Sequence, residues 1–268
     1  MSDPIIIRGR RITAPGQLGP EFTGDDGLGM YRDGKTYLVE DCIIDFTVLP
    51  LDQQDEATAV TWGASATYRR CVIRGAGKLV LCGSGNEDHV PQETGKRVIL
   101  IDSILEHGSR RFPECHDGMH VTMQNCLIRN WGDPSRFNYD PAHPDRTFAA
   151  WAHTENSRIE AINCVFWQDS FWRPLKQMTL DWWRHIGQAW NDEGLRGLLR
   201  PSTYLPGVCR GLLATDGGEA WAMKCWKNRW WICLPWRHTT KAMDETDAKI
   251  LIARLEKMAA ELDAKLPK

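Results

Sequence analysis

Short apolar runs recur along residues 37–167, each closed by a polar residue and then a small one. Tyr37-Leu38-Val39, Thr67-Tyr68, Val98-Ile99-Leu100-Ile101, Val121-Thr122-Met123 and Ile159-Glu160-Ala161-Ile162 read as strands. Each leads into one phrase: Asp41-Cys42-Ile43-Ile44, Arg70-Cys71-Val72-Ile73, Asp102-Ser103-Ile104-Leu105, Asn125-Cys126-Leu127-Ile128 and Asn163-Cys164-Val165-Phe166. The small residues stand at 42, 71, 103, 126 and 164, at intervals of 29, 32, 23 and 38. A fixed phrase with loops of variable length marks a solenoid, whose units bury their apolar faces on their neighbours. No interval holds the run of helical periodicity that a βαβ unit needs between its strands. The pattern predicts an all-β chain wound as a parallel β-helix, with Cys42, Cys71, Ser103, Cys126 and Cys164 stacked in an interior corner. The alternative is a β-sandwich in which the repeat is accidental. Residues 5–13 supply a first strand that caps one end.

Past Trp167 the pattern changes, and ten of the thirteen tryptophans lie between Trp167 and Trp236. Residues 174–199 carry Leu175, Met178, Leu180, Trp183, Ile186, Ala189 and Trp190 at helical spacing. Residues 221–226 and 230–234, joined through Lys227-Asn228, read as a β-hairpin. Asp244 is placed to cap a final helix with apolar positions Ile250, Leu251, Leu255, Met258, Ala259 and Leu262. The expected division is a β-helix domain over 1–167 and a Trp-rich α+β extension over 168–268, which covers the β-helix or forms an oligomer interface.

Charge narrows the partners. Lys and Arg number 33 against 35 Asp and Glu, a net −2, so a polybasic nucleic-acid surface is not expected. No apolar run approaches the roughly 18 residues that span a bilayer. The opening Met1-Ser2-Asp3-Pro4 has an acid where a signal peptide needs base, so the expected location is the cytoplasm or a virion. Of nine cysteines, four occupy the repeated corner and read as reduced core residues. Cys115 and His120 have no second CxxC or HxxxH to complete a zinc site.

The chemistry concentrates in the polar turn that carries Arg110, Arg111, Glu114, His116 and Asp117. Arg111 offers a planar fork suited to a carboxylate, and Lys78 offers a point charge. The plain alternatives are solvated arginines paired with Glu114 or Asp117, a coil-capping Lys78, and aspartates that only form turns. Arg111-Phe112-Pro113-Glu114-Cys115-His116-Asp117-Gly118-Met119-His120-Val121 resembles the RxPxxRxGxxHV signature of the pectate lyase family 1 superfamily, with His116 replacing the second arginine. Residues 71–83, with Lys78 ahead of a Leu-x-Gly turn, resemble another segment of that family. Residues 119–131 resemble its HVxNNxxxNW strand, and residues 157–166 its ENNxF coil. The resemblance covers about residues 25–167.

This resemblance implies a right-handed parallel β-helix that cleaves uronate polymers by β-elimination. It places the base on Arg111 and a contact to the substrate carboxylate on Lys78, with His116 and Arg110 also facing the acidic polysaccharide. It implies calcium held by acidic residues near Asp26 and Asp55. The next acidic position of the family falls on Ala59, which leaves a weak or lost calcium site. The family's WIDH phrase is replaced by Leu38-Val39-Glu40-Asp41. The functional expectation is a polysaccharide lyase-like protein. The alternative is a glycan-binding or structural β-helix without catalysis, for instance in a phage particle, with a homo-oligomer or virion partner on the C-terminal region.

Overall fold

The computed structural model describes residues 3–22, 27–85, 88, 90–131, 136, 150–152, 157–167, 213–215, 219–223 and 245–267. Successive strands fall in turn into three parallel sheets, so that each coil gives one strand to each sheet. The first sheet stacks β1 (Ile5–Arg8), β4 (Thr36–Glu40), β7 (Ser65–Arg69), β10 (Arg97–Ile101), β13 (His120–Gln124), β16 (Arg158–Ile162) and β19 (Glu219–Met223). The second stacks β2 (Arg11–Ile12), β5 (Ile43–Asp45), β8 (Val72–Arg74), β11 (Ile104–Gly108), β14 (Leu127–Trp131) and β17 (Val165–Trp167). The third stacks β3 (Leu28–Met30), β6 (Glu56–Val60), β9 (Lys78–Cys82), β12 (Glu114–Cys115), β15 (Ala150–Ala152) and β18 (Leu213–Thr215). This is the winding of a parallel β-helix. A single helical turn, α1 (Val90–Glu93), lies between β9 and β10, and α2 (Glu245–Lys265) follows the last coil.

The repeated phrase is the corner between the first and second sheets. Its polar residue takes the left-handed conformation in every copy: Asp41 (φ 53°), Arg70 (φ 53°), Asp102 (φ 49°), Asn125 (φ 53°) and Asn163 (φ 51°). Asp and Asn tolerate that region best among residues with a side chain, and they fill four of the five positions. The strand registers then place Cys42, Cys71, Ser103, Cys126 and Cys164 on successive coils, as the repeat predicts. Each cysteine thiol donates to the carbonyl two residues back, as Cys42 does to Glu40 (3.2 Å) and Cys126 to Gln124 (3.3 Å). Each also reaches a carbonyl of the preceding coil, as Cys71 does to Val39 (3.4 Å). Six cysteines, the four corner residues with Cys82 and Cys115, are buried and unpaired as disulfides.

The second sheet is apolar on both faces. Ile12, Ile44, Ile73, Leu105 and Ile128 belong to the interior of the coil, while Ile43, Val72, Ile104, Leu127 and Val165 form a separate stripe on its outer side. The amphipathic α2 covers that stripe with Ala248, Leu251, Ile252, Leu255, Met258, Leu262 and Leu266. Burial of this stripe removes apolar surface that water would otherwise contact. Beside it runs a ladder of alternating charge, Asp45, Arg74, Glu106 and Arg129, one residue per coil in register. Arg74 lies 2.7 Å from Asp45, and Arg129 lies 2.6 Å from Glu106. From α2, Asp263 pairs with Arg11 (2.8 Å) and Glu256 with Arg129 (2.9 Å), which fixes the helix along its axis. Burial works against ionisation of Asp45, but Arg74 and Thr47 outweigh it and hold its carboxyl below the usual carboxylate range.

Two expectations change. The strand β19 joins β16 in parallel, with Ile159 opposite Ala220 and Ala161 opposite Ala222. Likewise β18 pairs with β15, so strands past residue 167 belong to the stack. Within α2, Ile250 is exposed and Ile252 is buried instead, because the outer stripe selects the face one turn position away. The expected helices at 174–199, the second hairpin strand and the Asp244 cap lie outside the described residues. Replacement of Leu255, 1% exposed in the centre of this contact, by alanine should cost about 2–5 kcal/mol of stability. Urea denaturation of the two proteins checks this, and an unchanged midpoint would contradict the seating of α2 on the second sheet.

Candidate functional site

The third sheet brings charged residues of three coils side by side. Glu56 opens β6 and stands opposite Lys78, which opens β9. On its other side Lys78 is bridged to Arg110. Beyond Arg110 the fourth coil carries one residue more than the third before Glu114 meets Leu81. That extra residue makes a bulge at Arg111, whose carbonyl accepts both the Leu79 N–H (3.2 Å) and the Val80 N–H (2.9 Å). Arg111 itself is left-handed (φ 60°). The next residue, Phe112, is fully buried and packs onto Gly108, where a Cβ would stand 2.8 Å from the ring. The buried ring anchors the bulge at Arg111.

Glu56 is the hub of the resulting network. Its Oε1 takes the Lys78 ammonium and the Arg111 Nη1 (2.9 Å). Lys78 also lies 2.6 Å from Asp55, and Arg111 Nε meets Glu114. The other Glu114 oxygen is 2.6 Å from His116 Nε2. Glu56, Lys78, Glu114 and His116 are all buried, so the charges of Glu56, Lys78 and Glu114 depend on their partners for the stabilisation that water would supply. Burial opposes ionisation of Asp55, yet Lys78, with Glu56 and Arg111, holds its carboxyl low. Burial and then the neighbouring Arg111 push the Arg110 pKa down, against the pull of Glu114, Glu56 and Asp55, and its buried Nε has no hydrogen-bond partner among the described residues. Arg136 approaches the same end of the sheet, 3.5 Å from Gln54.

The residues expected to act together, Lys78, Arg110, Arg111 and His116, are thus joined in one place. Asp55 joins them as a partner of Lys78, while Asp26 lies outside the described residues. The described donors do not fit calcium. Asp55 and Glu56 are occupied by Lys78 and Arg111, Ala59 is buried opposite Leu81, and among the described residues no group of three or more His, Cys, Asp or Glu is placed to hold a metal. Sequence reasoning did not single out Glu56. Lys78 and Arg110 each follow the small corner residue by seven positions, a spacing that already aligns them. Glu56 follows Cys42 by fourteen, and the longer loop hides its register.

A second cluster closes the opposite end of the third sheet. The buried Glu93 carboxylate accepts the Trp62 N–H (2.5 Å) and the Ser84 N–H (3.0 Å). It also shares a hydrogen bond with Asp117, and Asp117 accepts the Gly85 N–H (2.7 Å). One carboxyl pair therefore ties the corners of the second, third and fourth coils. Burial, followed by Asp117, raises the Glu93 pKa to about 7, against the pull of the Ser84 and Trp62 amides.

No known family profile matches this chain, and no curated protein matches it in sequence. Among solved structures, a pectate lyase bound to hexasaccharide is similar over 94% of this chain with a TM-score of 0.55 at 13% identity. This chain spans 60% of that protein's length. The likeness is one of fold.

The carboxyl pair makes stability depend on pH in a definite direction. Because the folded state raises Glu93 from its ordinary 4.5 to about 7, it favours the protonated form. That contribution is fully present below the ordinary value and is lost as pH rises through about 7. Melting temperature followed from about pH 5 to about pH 9 should fall across this window, and Asp117→Asn should flatten the fall. A wild-type profile rising with pH through neutrality would contradict the shared proton.

Proposed function

We propose that this chain is a polysaccharide lyase-like protein whose third sheet binds an acidic, uronate-type polymer and cleaves it by β-elimination. The carrying observation is the convergence of Lys78, Arg110 and Arg111 from two adjacent coils on one edge of the sheet. Three cations fixed this closely suit a carboxylate-bearing sugar, and guanidinium–carboxylate bonds are the stronger class of hydrogen bond. Arg110 suits the anion too, since among the described residues its Nε has no hydrogen-bond partner. The likeness in fold to a pectate lyase supports the same reading.

In the reaction the sugar carboxylate is neutralised by Arg110 and Lys78, which acidifies the adjacent C–H. A base takes that proton, the electron pair forms a carbon–carbon double bond, and the bond to the glycosidic oxygen breaks with protonation of the oxygen. Arg111, at the bulge, is the candidate base: with its own proton first released to solvent, the neutral guanidine would take the C–H proton at Nη2 and then return it to the departing glycosidic oxygen. Binding without cleavage is the second reading, and one observation favours it. The Nε and Nη1 of Arg111 already engage Glu114 and Glu56, which suits a permanent cation.

A screen of uronate polymers for ultraviolet-absorbing unsaturated products separates the two. On an active polymer, Arg111→Ala should abolish turnover while Lys78→Ala should weaken binding first. Arg110→Ala should lower affinity about 10-fold or more, the equivalent of one lost charge-assisted hydrogen bond of about 1.5–3 kcal/mol. Full turnover in Arg111→Ala would remove its role as base, and unchanged affinity in all three variants would remove the cation cluster as the binding site.

A further inference from the structure

Trp62 occupies a position where the fold suits a different residue. It ends the strand run of β6 at the corner between the third and first sheets, in the left-handed conformation (φ 54°), followed by Gly63, also left-handed. Two coils further on, the same pair of conformations is made by Asp117 and Gly118. Asp is a natural occupant of that region, whereas a bulky aromatic there carries a conformational cost of about 1 kcal/mol or more. The side chain is nevertheless 50% exposed, the one large aromatic among the exposed hydrophobic residues described. Core packing therefore does not account for the indole.

The surroundings hold the indole as a face. The backbone beneath it is held by the Glu93 carboxylate at 2.5 Å. Tyr31 of the preceding coil sits beside it, with ring centroids 5.8 Å apart and planes inclined by 43°. Asp33 lies against Gly63 so closely that a Cβ there would come within 2.3 Å of its Oδ1. Asp33 is 3.6 Å from the Lys96 ammonium, so a carboxylate and a cation rim the aromatic pair. An aromatic face edged by polar groups matches a pyranose ring, which offers axial C–H bonds to the face and hydroxyls to the rim.

We propose that Tyr31 and Trp62 form a sugar-stacking subsite that takes a ring of the same polymer whose carboxylates reach Lys78, Arg110 and Arg111. The polymer class rests on the function proposed above; the stacking does not. From Glu56 to Trp62 the chain advances six residues at ~3.3 Å each, so the two subsites are separated by at most about 20 Å along the third sheet. Only an oligomer long enough to cover that span engages both, which gives the subsite a chain-length dependence.

Titration calorimetry with short and long uronate oligomers tests this, alongside neutral gluco-oligosaccharides of the same lengths. Trp62→Asn relieves the left-handed strain, so it should melt no lower than wild type yet bind long oligomers about tenfold more weakly. Its affinity for short oligomers should not change, and Trp62→Phe should keep most of the long-chain affinity. Equal affinity of wild type and Trp62→Asn for long oligomers would overturn the subsite. Trp62-dependent binding of neutral chains without uronate binding would keep the subsite and overturn the acidic-polymer reading. Binding of neither would overturn both.

Discussion

A coil can pass from the first sheet to the second in two residues only if one enters the left-handed region and the next is small enough to lie inside the corner. Asp41, Arg70, Asp102, Asn125 and Asn163 meet the first condition, and Cys or Ser meets the second. Each cysteine also bonds carbonyls of its own coil and the one before it, and Ser103 accepts the Cys71 N–H, so neighbouring coils cannot slip without breaking these contacts. A slip of one residue would exchange the inner and outer faces of every strand. The register set at this corner is what places Glu56, Lys78 and Arg110 side by side on the third sheet and Asp45, Arg74, Glu106 and Arg129 in line on the second.

The two charged rows serve different ends. On the second sheet, opposite charges alternate from coil to coil and are joined by residues of α2, an arrangement that fixes position and leaves little uncompensated charge. On the third sheet, Lys78 and Arg110 are adjacent cations, and compensation comes from Glu56 and Glu114 on either side of Arg111. Loss of one partner in a buried pair leaves the other without compensation, so these carboxylates hold the cations in place as much as they neutralise them. Arg110 feels the same carboxylates only at longer range, while burial and Arg111 work against its charge.

The opposite end of the same sheet is held by a carboxyl pair, with Glu93 and Asp117 collecting backbone amides from two corners. Two carboxyls in hydrogen-bond contact favour a shared proton, since both cannot ionise without repulsion. The pair sets the backbone at Trp62, where the fold tolerates strain to present an exposed ring. Cation cluster and aromatic pair lie at opposite ends of the third sheet.

Much of the fold was legible locally. The apolar alternation, the polar-small corner phrase and its irregular interval are properties of short segments, and they define strands, corners and a solenoid without any long-range contact. The grouping of Lys78 with Arg111 was also legible, because their coils differ little in loop length. Tertiary structure alone decided the rest. The first aliphatic of each phrase, as in Ile43, Val72 and Ile104, faces outward, and nothing in the repeat says that a helix some eighty residues past the last phrase covers it. The same holds for β18 and β19, which lie beyond the last repeated phrase yet pair with β15 and β16. Glu56 emerged as the hub only once its loop was closed and its register counted. In each case local periodicity defines what a segment can be, while its partner is chosen by the apolar surface or charge that another, distant segment leaves uncovered.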